Sequence, residues 1–219
     1  QALSPERCSM SGSSLVRLGW FSKTVFACLL LVPFCLASDW DYEETHSDSR
    51  DFIAGGTLHV RLSVGDLRIK RGEANRISLH YTVKSRRERN VKEARVEFDV
   101  RGNDADIEFH SPYSGNTQFD VELQVPPNTN LDVHEKVGDL TVEAIEGDKD
   151  LTLSVGDIRV AKGPSDYRLV RASAGIGDVD GDGYGETSGW LGKTLRYHGD
   201  GKYELRAHVG VGDITLEGK

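Results

Sequence analysis

Cysteine is nearly missing from this chain, and what there is sits at one end. Cys8, Cys28 and Cys35 all fall within the first 37 residues. From Ser38 onward there is neither a disulfide framework nor a thiol to do chemistry. That suits a bacterial envelope protein better than a small disulfide-stapled extracellular domain, and the 182 residues that remain are enough to bury a core without such staples. Long hydrophobic runs are missing too. The longest, Thr24–Ala37, has 14 residues, short of the roughly 20 that a membrane-spanning helix needs. An excess of basic residues is also absent. The formal net charge is −8, and removing residues 1–37, with three basic side chains (Arg7, Arg17, Lys23) and one acid (Glu6), takes it to −10. That balance argues against nucleic acid and against an anionic membrane surface as partners. Catalytic signatures are equally scarce. The histidines (His46, His59, His80, His110, His134, His198, His208) are scattered with no His-Glu-x-x-His. The stretch SAGIGD around Ser173 is not Gly-x-Ser-x-Gly. No segment after Ala37 shows a convincing helical period.

The short apolar run has another use. After Met10, the sole methionine, come Arg17 and Lys23, then the apolar Thr24–Ala37, then the polar SDWDYEE. These are the three parts of a secretory signal peptide. Translation is expected to start at Met10 and cleavage to follow Ala37. A lipid anchor fits less well, because Cys35 follows the bulky Phe34 and Cys28 leaves almost no apolar run before it. Ser38–Asp51 is acidic, serine-rich and without period, which predicts a mobile leader. The expected organisation is residues 1–37 as upstream residues plus signal peptide, 38–54 as flexible leader, and 55–219 as one domain.

What is abundant is a Gly-Asp pair flanked by apolar residues. It recurs five times: VGDLRI from Val64, VGDLTV from Val137, VGDIRV from Val155, IGDVDG from Ile176 and VGDITL from Val211. Glycine bends an extended chain at no steric cost. Aspartate accepts hydrogen bonds from backbone N–H groups one or two residues on. Each pair, Gly65-Asp66, Gly138-Asp139, Gly156-Asp157, Gly177-Asp178 and Gly212-Asp213, therefore reads as a corner between strands, with the apolar residues on both sides buried. The glycines are separated by 73, 18, 21 and 35 residues. The middle two intervals approximate the rung of a β-solenoid, and the last suggests two rungs or one rung with an insertion.

Period-2 alternation begins near Phe52. Leu58, Val60, Leu62 and Val64 share one face, and Ile77, Leu79, Tyr81 and Val83 another. TQFDVELQV follows until Pro126-Pro127 breaks it. The fold class expected is all-β: a solenoid-like repeat domain with longer antiparallel strands in the N-terminal half. At this point the segment Phe119–Val160, an apolar strand ending in Val-Pro, a strand from Leu131, then two copies of Gly-Asp-apolar-x-apolar around Gly147, resembles the bacterial "putative adhesin" family. The resemblance spans residues 55–219 and implies an exported all-β domain with no catalytic residues, structural, adhesive or interacting in role. Gly183–Tyr203 departs from the pattern as an insertion.

Three candidate sites remain. DVDGDG places Asp178, Asp180 and Asp182 at positions 1, 3 and 5 of a calcium loop, with Gly183 at 6. Position 12, however, is Gly189 where a bidentate Glu should close the shell. The expectation is a polar turn, no metal and no cofactor. Lys84–Arg95 holds six basic residues and reads as a solvated hairpin end, with an anionic ligand as the alternative. Tyr184, Trp190 and Tyr197 form either a sugar-stacking platform or, as favoured, the cap of the stack. The leading function is a non-enzymatic exported envelope protein with a protein or glycan partner at the cell surface. The rivals are a Ca-dependent glycan-binding module and a carbohydrate-active enzyme on a β-helix.

Overall fold

The computed structural model describes residues 40–111, 116–161, 167–189 and 192–217. The readings of residues 1–37 and of Trp190 lie outside them. The described chain is all-β. In order it runs β1 (Tyr42–Asp51), β2 (Thr57–Arg71), β3 (Arg76–Ser85), helix α1 (Glu88–Glu93), β4 (Arg95–Arg101), β5 (Asp104–His110), β6 (Thr117–Val125), β7 (Asn130–Val137) and β8 (Leu140–Val142). It continues with β9 (Lys149–Val155), β10 (Ile158–Ala161), β11 (Tyr167–Ile176), β12 (Val179–Gly181), β13 (Thr187–Ser188), β14 (Lys193–His198), β15 (Tyr203–Val211) and β16 (Ile214–Glu217).

Gly-Asp pairs join strands two by two: β7 to β8, β9 to β10, β11 to β12 and β15 to β16. The first strand of each pair belongs to one wall and the second to another. β2 passes through Gly65-Asp66 unbroken and serves both walls, pairing in parallel with β7 before the bend and with β8 after it. The stack order is β2, β7/β8, β9/β10, β15/β16, β11/β12. The last pair in sequence therefore lies inside the stack, between the second and third. Gly156 and Gly177, 21 residues apart, are not neighbours; Gly212 stands between them. Sequential stacking is the natural reading of the spacing, and it fails here because register is chosen by matching apolar faces, not by order along the chain.

Matching faces are visible in the register. In the first wall Ala105, Leu58, Leu131, Lys149, Leu205 and Val170 form one inward column, and Ile107, Val60, Val133, Leu151, Ala207 and Ala172 the next. In the second wall Leu123, Ile69, Val142, Val160 and Leu216 line up. All of these apolar side chains belong to a single buried cluster, and each large one contributes about 1.5–3 kcal/mol. On the far side of β2 lie β5 and β6, then β4 and β3 in antiparallel pairing.

Two expectations are corrected by the N-terminal half. The segment read as a mobile leader is strand β1, antiparallel to β3 from Tyr42↔Ser85 to Asp51↔Arg76. All of its residues are exposed, so no face needed apolar residues and no period was written. Main-chain pairing holds it, with Thr45 against Thr82 at 3.0 Å, Ser47 Oγ against His80 Nδ1 at 2.7 Å, and His46 stacked on Tyr81. The basic hairpin end contains helix α1, which period analysis missed because six residues are too few to show one. Buried Asn90 and Val91 pin it, Asn90 Nδ2 donating to Ser85 Oγ at 3.2 Å. Glu88 with Lys92, and Arg89 with Glu93, pair one turn apart on its surface. Lys84 bonds Asp120 on β6.

Candidate functional site

The Gly-Asp pairs stack directly on one another as a ladder, Gly65, Gly138, Gly156, Gly212 and Gly177 in that order. Their φ angles lie between +130° and +155°, a region that L side chains rarely adopt. Space is a second restriction. A Cβ on Gly156 would run into the carbonyl oxygen of Gly138, and one on Gly138 into that of Gly65.

The aspartates bond across rungs, not to their own turn. Asp139 N–H donates to Asp66 Oδ1 at 3.3 Å, Asp157 N–H to Asp139 Oδ1 at 3.1 Å, Asp213 N–H to Asp157 Oδ1 at 3.0 Å and Asp178 N–H to Asp213 Oδ1 at 2.7 Å. This corrects the local turn bond expected of each Asp. The donor each carboxylate accepts from belongs to the strand pair next to it in the stack. Four of the five carboxylates, those of Asp66, Asp139, Asp157 and Asp213, each accept one such N–H. Asp66, exposed at one end of the ladder, has its carboxyl pushed up by partial desolvation and by nearby Asp120 and Asp139, an effect the bond from Asp139 N–H opposes.

The residue preceding each Gly-Asp is not buried. Val137, Val155 and Val211 are each 45% exposed and Ile176 58%, in register with one another and with Val64. They sit where the two walls part, beyond the reach of the core. The residues following the pair, Leu67, Leu140, Ile158, Ile214 and Val179, are buried. The corner therefore presents an outward apolar ridge beside an acidic ladder.

Among the described residues, one lysine and one glutamate are buried at inward positions. Lys149 donates to the carbonyls of Ile145 at 2.6 Å and Gly147 at 3.0 Å and lies over the Tyr167 ring. Burial brings its ammonium down to about 8. Glu135 is 2% exposed, takes the place that Leu153 holds one coil on, and neither carboxyl oxygen has a partner. Burial, reinforced by Asp66 and Asp139, pushes it up to about 8. Sequence reasoning missed both, although each breaks an otherwise apolar alternation.

The outer faces are polar. His59 Nδ1 meets Asp132 at 2.8 Å, and His134 Nε2 meets the other oxygen of Asp132 at 3.1 Å. The first contact joins residues 73 apart in sequence, so spacing gave no sign of it; the second joins neighbours two apart on β7. The DVDGDG carboxylates are exposed, and Lys193 Nζ stands 3.9 Å from Asp178 Oδ1. Among the described residues no three His, Cys, Asp or Glu side chains gather as metal ligands would. Tyr184 is buried and meets Tyr197 edge to face at 5.3 Å, so these rings fill the end of the core and offer no open platform.

No family model matches the chain, and no curated protein matches it. Its fold is similar to that of a "putative cell adhesion protein" from Clostridium sporogenes, with a TM-score of 0.51 at 18% identity, covering 80% of this chain and 100% of that one. A weaker likeness, TM-score 0.25 at 10% identity, covers 80% of this chain and 97% of a "putative adhesin" from Bacteroides fragilis. Another, TM-score 0.33 at 11% identity, covers 63% of this chain and 58% of a "putative lipid binding protein" from Parabacteroides distasonis. The first establishes a shared all-β fold. No helix among the described residues is long and apolar enough to cross a membrane.

Proposed function

We propose that this chain is an exported, non-enzymatic envelope protein of the adhesin-like kind, a short β-solenoid whose strand faces bind a partner at the cell surface. The observation that carries this reading is the in-register stack. Parallel coils turn at aligned Gly-Asp corners, so outward side chains stand on a regular grid about 4.8 Å by 6.8 Å. Such a grid suits a repetitive or extended ligand better than a small substrate, which needs a concave pocket. The fold shared with the "putative cell adhesion protein" supports the same reading, as does the signal-like segment before Ser38. The Gly-Asp pairs are structural corners in this reading, and no cofactor is called for. The test is fractionation of the producing cell, followed by binding of the labelled, purified protein to intact cells and isolated envelope. Export with saturable binding is expected. Retention in the cytoplasm, or no retention on any envelope preparation, overturns the reading.

A further inference from the structure

The outer face of the first wall changes character along the stack. At one register level the side chains read Asp106, His59, Asp132, Asp150 and then Arg206, Arg171. Arg196 of β14 lies directly opposite Arg171 in antiparallel pairing. Ala207, Ala172 and Leu195, one residue on, are buried, which puts all three arginines on the outside. Three guanidinium groups thus stand on adjacent strands about 4.8 Å apart. Like charges directly opposite in a sheet are destabilising, and neutralisation here is partial. Arg206 pairs with Glu204 at 2.9 Å and Asp150 at 3.9 Å. Glu204 is also held by Arg168 at 2.6 Å. Arg171 and Arg196 are exposed and have no carboxylate partner among the described residues. A cationic row on a chain of net charge −8 is not a by-product of composition.

The positions beside the row complete a shelf. One step toward the corner stand His208, Ser173 and Thr194, with His208 Nδ1 2.9 Å from Ser173 Oγ. One step further come Gly210 on β15 and Gly175 on β11, with Gly192 just before β14, packed so closely that a Cβ on Gly175 would strike the Gly210 carbonyl and one on Gly192 the carbonyls of Ala174 and Gly175. The shelf therefore has a bare backbone floor, a row of small hydrogen-bonding groups and a cationic rail. No bulky apolar side chain stands at these nine positions, and a membrane-binding face needs such side chains to insert.

We propose that this shelf on β15, β11 and β14 binds an acidic polysaccharide bearing a carboxylate or sulfate on each sugar. Arg206, Arg171 and Arg196 hold successive charges, because one sugar residue is about as long as one strand-to-strand step. The acidic positions Asp150 and Asp132 repel the chain beyond Arg206 and limit the site to about three sugars. The inference rests on the surface-binding reading above and names its ligand.

The test uses the purified full-length protein with polygalacturonate as probe. Wild type binds it, less tightly as salt rises, and binds neutral dextran not at all. Arg171→Ala with Arg196→Ala lowers affinity about tenfold or more, as losing two charge-assisted contacts should. Arg89→Ala with Lys92→Ala, the same charge change on α1, leaves it unaltered. Melting curves of all variants match wild type, which removes misfolding as an explanation. Equal loss in both double variants means unspecific charge attraction and overturns the site. So does absence of wild-type binding, or a preference for vesicles of phosphatidylglycerol over the polysaccharide. If the shelf variant keeps full binding to cell envelope, the site is wrong while the surface-binding function stands.

Discussion

At the scale of single residues, the corner separates two roles that look alike in sequence. Val155 and Ile158 flank the same Gly-Asp, yet Val155 is 45% exposed and Ile158 fully buried. Val155→Asp is therefore expected to be nearly neutral, within about 0.5 kcal/mol, as surface changes are. Ile158→Asp buries an unpaired carboxylate and should cost several kcal/mol, about 3 or more. Gly156→Val forces a β-branched residue to φ +130° and drives its Cβ into the Gly138 carbonyl, so it should cost more than the roughly 1–3 kcal/mol of backbone strain alone. Denaturant melts rank the three; equal losses for Val155→Asp and Ile158→Asp would contradict the exposed ridge. Glu135 offers a test by pH. Its folded value of about 8 lies above the ordinary 4.5, so the native state holds a proton that the unfolded chain has released. Stability from this group is complete below the unfolded value and is lost as pH rises through about 8. Glu135→Leu, matching its neighbour Leu153, should remove that slope and stabilise by a few kcal/mol, on the order of 2–5, at pH 8. Thermal melts from pH 5 to pH 9 check it, and a gain that is equal at every pH would rule the titration out. These residues stand out in sequence only as single breaks in alternation, and what surrounds them was not readable there.

At the scale of elements, legibility followed burial. The alternation read in sequence placed β2, β3 and β6, where Leu58, Val60 and Leu62, then Ile77 and Leu79, then Phe119, Val121 and Leu123 are buried. β1 buries nothing and α1 buries only Asn90 and Val91, so both were invisible to period. The corners were legible as turns because only glycine tolerates their backbone angle and close approach. Their hydrogen-bond partners were not, because those partners lie on the next coil. The cationic shelf was unreadable for the same reason: Arg171, Arg196 and Arg206 sit on three strands whose order the sequence does not declare. The DVDGDG element is the converse case, a motif that spacing suggests although its closing Glu is missing; its three carboxylates are exposed. Asp178 already bonds across the ladder through its N–H, and Lys193 approaches its carboxylate. Calcium should therefore leave the melting temperature unchanged, since only a ligand that binds the folded state shifts it. A calcium-dependent rise that Asp180→Ala abolishes would restore the metal reading.

At the scale of the whole molecule, the insertion of β15 and β16 between β9/β10 and β11/β12 decides how the strands hold together. In a stack built in chain order, each unit touches only its neighbours, and trimming the end peels off one unit. Here β15 and β16 pair on one side with β9 and β10 and on the other with β11 and β12. The contact from residues 149–161 to residues 167–181 runs through the final strands. Closing that arrangement requires β15 and β16 to be in place before β11, β12 and β14 have a wall to join. Truncation after Lys202 would therefore do more than shorten the stack. It removes inward Leu205, Ala207, Val209, Ile214 and Leu216, all buried, and uncovers two sheet edges instead of one. Unpaired edges of this kind are sites of aggregation. The expected outcome is a truncated protein that loses the order of residues 167–198 along with its own coil, seen as broad loss of amide protection across β11 and β14 in hydrogen exchange. Deleting β1 is the fitting contrast, since it is an exposed edge strand with no buried side chain. That deletion should leave protection in β9, β11 and β14 intact. If truncation after Lys202 leaves β11 as protected as in the full chain, the inserted order is wrong and the coils stack in sequence.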